Sequence, residues 1–235
     1  MRQAFLNWSS GKDAAYALYQ LHSHGTYGIE VVRLMTTVNK QFGRVSMHGI
    51  REEILQRQAD CLGLPLDIVY LHEKLNLQEY EAIIKTQLEK YERLGIRDSV
   101  YGDILLEDLK TFREAQLARL NIRGVFPLWN RNTTELIHEM VESGLKTIVV
   151  CVNEQYLDKS FVGRTIDKQF IADLPKGVDP CGENGEFHTF VYDGPMFKQP
   201  VSFELGEIVY KTYDAPKQCN QKEILHYGFW FLDIL

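Results

Sequence analysis

Cysteine is scarce in this chain. Cys61, Cys151, Cys181 and Cys219 are four in 235 residues, and no two form a C-x-x-C pair. This excludes a disulfide-built scaffold and argues against a zinc site. Long apolar runs are also missing: no window approaches the ~18 apolar residues of a membrane span. Met1-Arg2-Gln3-Ala4-Phe5 leads toward Lys12 and Asp13 rather than into a signal-peptide core. Positive charge is in deficit, with 26 Lys+Arg against 32 Asp+Glu and a net charge of −6. That balance speaks against a broad nucleic-acid-binding face and leaves room only for a small basic patch. There are no internal repeats and no low-complexity segments. Apolar residues, by contrast, are plentiful at 45%, enough to offset ordering entropy, so disorder is excluded for most of the chain. The expectation is a soluble, reduced, cytoplasmic protein of one large domain, or of one domain and a smaller one.

The first part of the chain alternates strand-like and helix-like segments. Short apolar or β-branched runs lie at 4–8, 29–37, 66–70, 99–101, 124–126 and 147–152. Helical spacing covers 13–24, with Gly25 as its stop, and then 47–62, 77–94, 107–120 and 133–143. Strands alternating with helices of ~10–15 residues predict βαβ units and a parallel sheet covered on both faces. Ligands bind at the carboxyl ends of such strands, which singles out the loops after Trp8, Thr37 and Tyr101. After about Asn153 the texture changes. A partly helical stretch at 161–174 is followed by a Gly/Pro-dense one at 175–185. Then come β-like runs at 187–191, 201–213 and 224–235, with turns at Gly194-Pro195 and Ala215-Pro216-Lys217-Gln218. The predicted division is an α/β unit over 1–130 and a smaller α+β unit rich in antiparallel strands over 131–235.

Two stretches carry chemistry. The first is Ser9-Ser10-Gly11-Lys12-Asp13, between the first strand and the first helix. Backbone N–H groups at a helix start hold phosphates. Gly11 permits close approach, Ser9 and Ser10 add hydroxyls, Lys12 adds a cation, and Asp13 can cap the helix or hold Mg²⁺. The loop is not a Walker P-loop, because Leu6 stands where that motif needs its first Gly and Asp13 follows the Lys. Taken alone, the pentapeptide reads equally as a Ser/Gly/Asp turn that starts a helix. The second stretch is Asp179-Pro180-Cys181-Gly182-Glu183-Asn184-Gly185-Glu186-Phe187-His188-Thr189. Its acids can act as bases, hold Mg²⁺ or bind an amine, or they can be a solvated acidic loop before an edge strand.

The first loop resembles the S-G-G-x-D-S pyrophosphate-binding motif of the N-type ATP pyrophosphatases, α/β proteins of the HUP class. Ser9, Gly11 and Asp13 match, whereas Ser10 replaces a Gly and Ala14 replaces the final Ser. The second stretch resembles the E-[GN]-G-E-[FY]-[HE]-[ST] element of the diphthine–ammonia ligase family. Met47-His48, Gly102-Asp103-Ile104, Pro127-Leu128-Trp129 and Asp193-Gly194-Pro195-Met196-Phe197 fit the same family in the same order, so the resemblance runs from Asn7 to Phe197. It implies a HUP-type, Rossmann-like parallel sheet followed by a smaller α+β domain. It also implies extra C-terminal domains in eukaryotic members, with this chain the short form.

For activity, the resemblance implies ATP-dependent amide formation. A carboxylate attacks the α-phosphorus of ATP, pyrophosphate leaves, and ammonia displaces AMP. Ser9, Ser10, Gly11, Lys12 and Asp13 would bind phosphates. Thr36 would lie near the adenine, His48 near a phosphate or the substrate carboxylate, and Gly102 and Asp103 in the same crevice. Asp13 and Asp103 are the candidate Mg²⁺ ligands. Lys12, Glu183, Glu186 and His188 are the candidate catalytic residues, with Asn184, Gly185 and Thr189 binding substrate. Free ammonium, or a partner, would supply nitrogen, since the chain starts Met1-Arg2 with no glutaminase nucleophile. If the substrate is diphthine, the partner is translation elongation factor 2. A homo-oligomer is compatible with the sequence. Two other readings stay open: a pyrophosphatase acting on tRNA or an unknown small molecule, and a non-catalytic ATP/AMP sensor, which the missing Ser at position 14 keeps in play. Arg51, Arg113 and Arg164 are each either anion ligands or salt-bridge partners.

Overall fold

The computed structural model describes residues 1–24, 27–45, 48–72, 75–214 and 226–235. The expected helix stop at Gly25, Met47 of the Met-His element, the turn at Ala215-Pro216-Lys217-Gln218, Cys219 and the start of the last run at Ile224 lie outside them. The alternation reads through into ten strands and six helices among the described residues. β1 (Arg2–Asn7), α1 (Lys12–His24), β2 (Ile29–Asn39), β3 (Arg44–Val45), α2 (Glu52–Leu62), β4 (Leu66–Leu71), α3 (Leu77–Arg93), β5 (Asp98–Val100), α4 (Glu107–Ala118) and β6 (Arg123–Val125) come first. α5 (Thr133–Glu142), β7 (Lys146–Asn153), α6 (Lys168–Asp173), β8 (Phe187–Asp193), β9 (Leu205–Asp214) and β10 (His226–Ile234) follow.

β4, β2, β1, β5 and β6 form one parallel sheet, and the two-residue β3 pairs antiparallel with the end of β2. The pleat puts alternate residues on opposite faces. Phe5 and Met35 pack with α3 and α4 residues such as Leu88 and Leu117, whereas Ala4, Leu6 and Leu34 join α1, α2 and α5 residues such as Ala17, Ile54 and Ile137. The sheet is thus covered on both faces, as the apolar runs predict. Strand order reverses at β1, with β2 on one side and β5 on the other, so the crevice above the carboxyl ends of β1 and β5 is where an open α/β sheet takes its ligand.

β8, β7, β10 and β9 form a second, antiparallel sheet. The run at 147–152 reads as one more strand of the parallel alternation, but β7 belongs to this second sheet. A strand buried on both faces gives the same continuous apolar run in either setting. The helical stretch expected over 161–174 reduces to a 3-10 turn, Lys159–Phe161, and the short α6.

The two sheets are stitched together beneath the crevice. The Val191 N–H donates to the Ser10 carbonyl. Gln58, fully buried on α2, accepts from the Trp8 indole N–H at 2.9 Å and donates to the Val191 carbonyl at 2.6 Å and the Ser10 carbonyl at 3.2 Å. One amide from α2 therefore satisfies buried groups of the first loop and of β8. Gln58→Leu keeps the bulk and orphans the indole N–H. It is expected to cost about 2–3 kcal/mol in urea unfolding. A loss under ~0.5 kcal/mol would mean the amide does not join the sheets.

Candidate active site

β1 delivers the chain to Trp8, and α1 begins at Lys12, so residues 9–11 turn over the end of the sheet with the positive end of α1 facing the crevice. Asn7 Nδ2 donates to Ser99 Oγ at 3.0 Å and to the Val100 carbonyl at 2.9 Å, tying this loop to the end of β5. The crevice opens into a cavity of about 570 Å³. Ser9, Lys12, Asp13, Thr36, His48, Gly102, Asp103, Glu183, Gly185, His188 and Thr189 all line it. The two motif stretches, some 170 positions apart, share one wall.

Ser10, Gly11, Asn184 and Glu186 do not line the cavity. Ser10 is fully buried behind it, with φ +77° and a hydroxyl that has no hydrogen-bond partner among the described residues. The left-handed region favours glycine, which is a physical reason for the Gly of the S-G-G motif at this place. Ser10→Gly is expected to raise stability by about 1 kcal/mol through relief of backbone strain and of the unpaired hydroxyl, and to leave the KM for ATP unchanged. A thermal melt and a saturation curve check both. Behind Gly11, a Cβ would stand 2.7 Å from His48 Cε1, so this glycine serves close packing. Ala14, where the motif has its final Ser, is on the cavity wall.

The acids of the second stretch divide their labour. Glu186 is fully buried. It accepts from the Asp179 N–H at 2.9 Å, the Asn184 N–H at 2.8 Å and Asn184 Nδ2 at 2.9 Å. Asp179 accepts from the Cys181 N–H at 2.8 Å and from the Thr133 hydroxyl at 2.6 Å. Both carboxylates accept hydrogen bonds that fold the loop, and Glu186, expected among the catalytic residues, sits behind the cavity wall rather than on it. The same holds for Asn184, which braces Glu186 rather than facing the cavity. Glu183 is left facing the cavity. Its carboxyl is pushed up to about 7, first by burial and then by Asp13, Asp179 and Asp103, against the pull of Lys12.

Lys12 is buried. Its ammonium donates to both Asp13 oxygens, at 2.9 and 3.0 Å, and to the Cys181 carbonyl. Burial pulls its pKa down most strongly, but Asp13, Cys181 and Glu183 together outweigh this and hold it above the usual lysine value, so the side chain is a cation at pH 7. The Lys12 N–H is taken by the Thr189 hydroxyl at 3.0 Å, and the Thr189 carbonyl lies 2.9 Å from His48 Nδ1. A carbonyl only accepts, so His48 Nδ1 carries the proton and Nε2 is an acceptor. Burial lowers the pKa of both His48 and His188, so the two rings, 4.9 Å apart, are neutral at pH 7. His188 Nε2 and Thr36 Oγ1 are buried without a partner among the described residues, and both residues line the cavity.

Asp103 pairs with Arg113, whose guanidinium stacks 4.3 Å above the Tyr101 ring. Burial, and secondarily Asp13, still leave the Asp103 carboxyl above its ordinary value. Arg113 belongs to a stripe on α4, Leu109, Phe112, Arg113 and Gln116, that lines the cavity opposite Tyr80, Ile84 and Leu88 of α3. The sequence leaves Arg113 unranked, although its i, i+3, i+4, i+7 setting within an otherwise core-like stripe was a usable signal. Arg51 pairs with Asp233 and Arg164 with Asp173, both away from the cavity. Cys181 is buried with its thiol pKa raised by burial, hence unreactive. No described helix is long and apolar enough to cross a membrane.

Comparison with known proteins bears on this arrangement. Residues 1–123 match the family described as diphthamide synthase N-terminal domain, and residues 132–221 match the diphthamide synthase C-terminal domain. Diphthine–ammonia ligase of Homo sapiens is 28% identical over 229 residues, covering 88% of this chain and 85% of that protein. The Bos taurus protein of the same name is also 28% identical, with the same coverage. The Schizosaccharomyces pombe protein is 26% identical over 221 residues, 86% of this chain but 36% of its own length. Long additional segments thus distinguish the yeast relative, whereas the human and bovine proteins are spanned over most of their length, against the expectation that eukaryotic members as a group are extended. With most of its length matched by the two halves in order, the chain belongs to the diphthamide synthase family.

Proposed function

We propose that this chain is an ATP-dependent amide-forming ligase, converting a carboxylate and ammonia to an amide as in diphthine to diphthamide. The observation that carries the proposal is the shared wall: a helix-start loop with a charged lysine beside a carboxyl whose pKa is about 7. We take 1–130 as the ATP-binding unit and 131–235 as the substrate unit, a division supported by where the parallel sheet ends.

Ammonia does not displace oxide from a carboxylate, so the acid must first gain a better leaving group. Its oxygen attacks the α-phosphorus, pyrophosphate departs, and the acyl adenylate forms. Ser9 and Lys12, with the start of α1, bind the polyphosphate and take up charge building on the leaving pyrophosphate. Thr36 and His188 offer their unpaired atoms to ATP or the acceptor, and His48 offers Nε2. Glu183 draws in ammonium and takes its proton, and the freed ammonia attacks the acyl carbon, expelling AMP. A base is most effective when its pKa lies near the working pH. The apolar α3–α4 wall, with Arg113 at its edge, accommodates the acceptor.

Among the described residues no three metal-ligating side chains come together. Magnesium on nucleotide phosphates needs only one or two carboxylates, and Asp13 and Asp103 on the cavity wall fit that need. There the ion would neutralise charge on the phosphate oxygens.

The test is AMP and pyrophosphate release from ATP, with Mg²⁺ and ammonium, in the presence and absence of elongation factor 2 bearing diphthine. Release that depends on the factor, and that Lys12→Ala reduces about 100-fold or more, supports the ligase. Release without the factor redirects the chemistry to another acceptor, and ATP binding without release under any condition overturns it in favour of a sensor.

A further inference from the structure

We infer that the chain self-associates through β9, two copies pairing their edge strands antiparallel about a two-fold axis at Val209. The second sheet has two edges. β8 is covered, since its Val191 N–H donates to the first loop and its Tyr192 carbonyl accepts from Val201. Among the described residues the β9 backbone hydrogen-bonds to β10 alone, and its Tyr210 hydroxyl donates back to Glu154 at the end of β7, leaving the outer edge without a partner there. A ten-residue edge strand offers a row of unpaired N–H and C=O groups. Of the usual protections β9 carries edge charges at Glu207, Lys211 and Asp214. β9 contains no proline, and its one irregularity, where Gly206 and Glu207 together face Asp233, lies at the start of the strand. Val209 and Tyr210 are 38% and 43% exposed.

The charges name the occupant. From Glu207 onward the side chains alternate, with Glu207, Val209 and Lys211 on one face and Ile208 and Tyr210 on the other. A two-fold axis perpendicular to the sheet keeps each face on its own side, so it must pass through a residue rather than between two. Centred on Val209, it sets Glu207 opposite the second copy's Lys211 and Lys211 opposite its Glu207. Val209 then meets Val209, and Ile208 meets Tyr210. Centred on Lys211 it would oppose two lysines, and centred on Ile208, Tyr210 or Thr212 it forms no ion pair. Directly opposed unlike charges and apolar pairs stabilise a ladder, and like charges destabilise it. The segment 207–211 is therefore complementary to its own reverse, as an isologous interface requires. The product is one continuous sheet of eight strands, with the two catalytic crevices at its far ends beside each β8.

Sedimentation velocity from about 1 to 100 μM, the range in which a modest edge contact associates, tests this. The wild-type chain is expected to show a monomer–dimer equilibrium. Lys211→Glu, which places like charges opposite each other twice, is expected to weaken it roughly tenfold or more. The double variant Glu207→Lys with Lys211→Glu recreates both pairs in reverse and is expected to restore it. Circular dichroism confirms that each variant is folded. A monomer at every concentration overturns the inference. So does a dimer indifferent to Lys211→Glu, or a double variant no better than the single one.

Discussion

Glu183→Gln is expected to abolish amide formation while making the fold more stable above pH 7. The carboxyl has a folded-state pKa of about 7 against an ordinary 4.5, so the folded state holds a proton that the unfolded state has given up. For a carboxyl raised in this way, stability is full below pH 4.5 and is lost as pH rises to about 7, because ionisation must then occur inside the cavity. Each pKa unit is worth about 1.4 kcal/mol. The whole difference therefore comes to ~3.5 kcal/mol, which partial solvent access reduces to roughly 2 kcal/mol. Glutamine keeps the shape and never ionises. Urea unfolding at pH 5 and at pH 8 should show the two proteins alike at the lower pH and the variant ahead at the higher. Turnover, measured as AMP release, should fall about 100-fold or more with loss of the base, and the wild-type rate should rise through pH 7. A variant that is less stable at pH 8, or a wild-type rate flat from pH 6 to 8, would remove Glu183 from the role of base.

Gly102→Ala is expected to be the most damaging small substitution. The constraint is one of space, since a Cβ here would stand 2.6 Å from the Asp13 carbonyl carbon, 2.7 Å from Ala14 N and 2.8 Å from Asp13 O. All three are backbone at the first turn of α1 and cannot rotate aside. The end of β5 and the start of α1 must therefore separate, moving the loop on the cavity wall. Overpacking of this kind costs about 1–3 kcal/mol, and a displacement near 1 Å in a catalytic constellation costs about 100-fold in rate. Gly95→Ala is the control: φ is +76° with nothing within 4 Å, so it should cost about 1 kcal/mol and leave kcat alone. If Gly102→Ala matches Gly95→Ala in turnover, the contact between β5 and α1 does not position the loop.

The alternating segments are legible because hydrophobic period and Gly/Pro punctuation are local properties. The strand starts and helix ends read from them fall within a few residues of the elements observed. The pairing partner of a strand is not local. The buried run of β7 says only that both its faces are covered, and the apposition of β10 and β8 makes it antiparallel. The two motif stretches are legible as well, through residue types and order. Which acid of 179–189 does chemistry is another matter. Asp179, Glu183 and Glu186 are interchangeable in a string of letters. They separate only when the loop folds, because two of them become acceptors for its own N–H groups and one is left in the cavity with other acids nearby.

By itself, then, the sequence determined an α/β chain with a Ser/Gly/Lys/Asp loop after its first strand, an acidic loop far downstream, and membership in one family. Tertiary structure alone decided that these loops meet, that Ser10 and Glu186 support the site from behind while Glu183 faces it, and that Arg113 joins it from α4. The reason is that side-chain roles here are set by burial and by competition for hydrogen-bond donors, and both depend on neighbours as far away as the 177 positions separating the Lys12 N–H from the Thr189 hydroxyl.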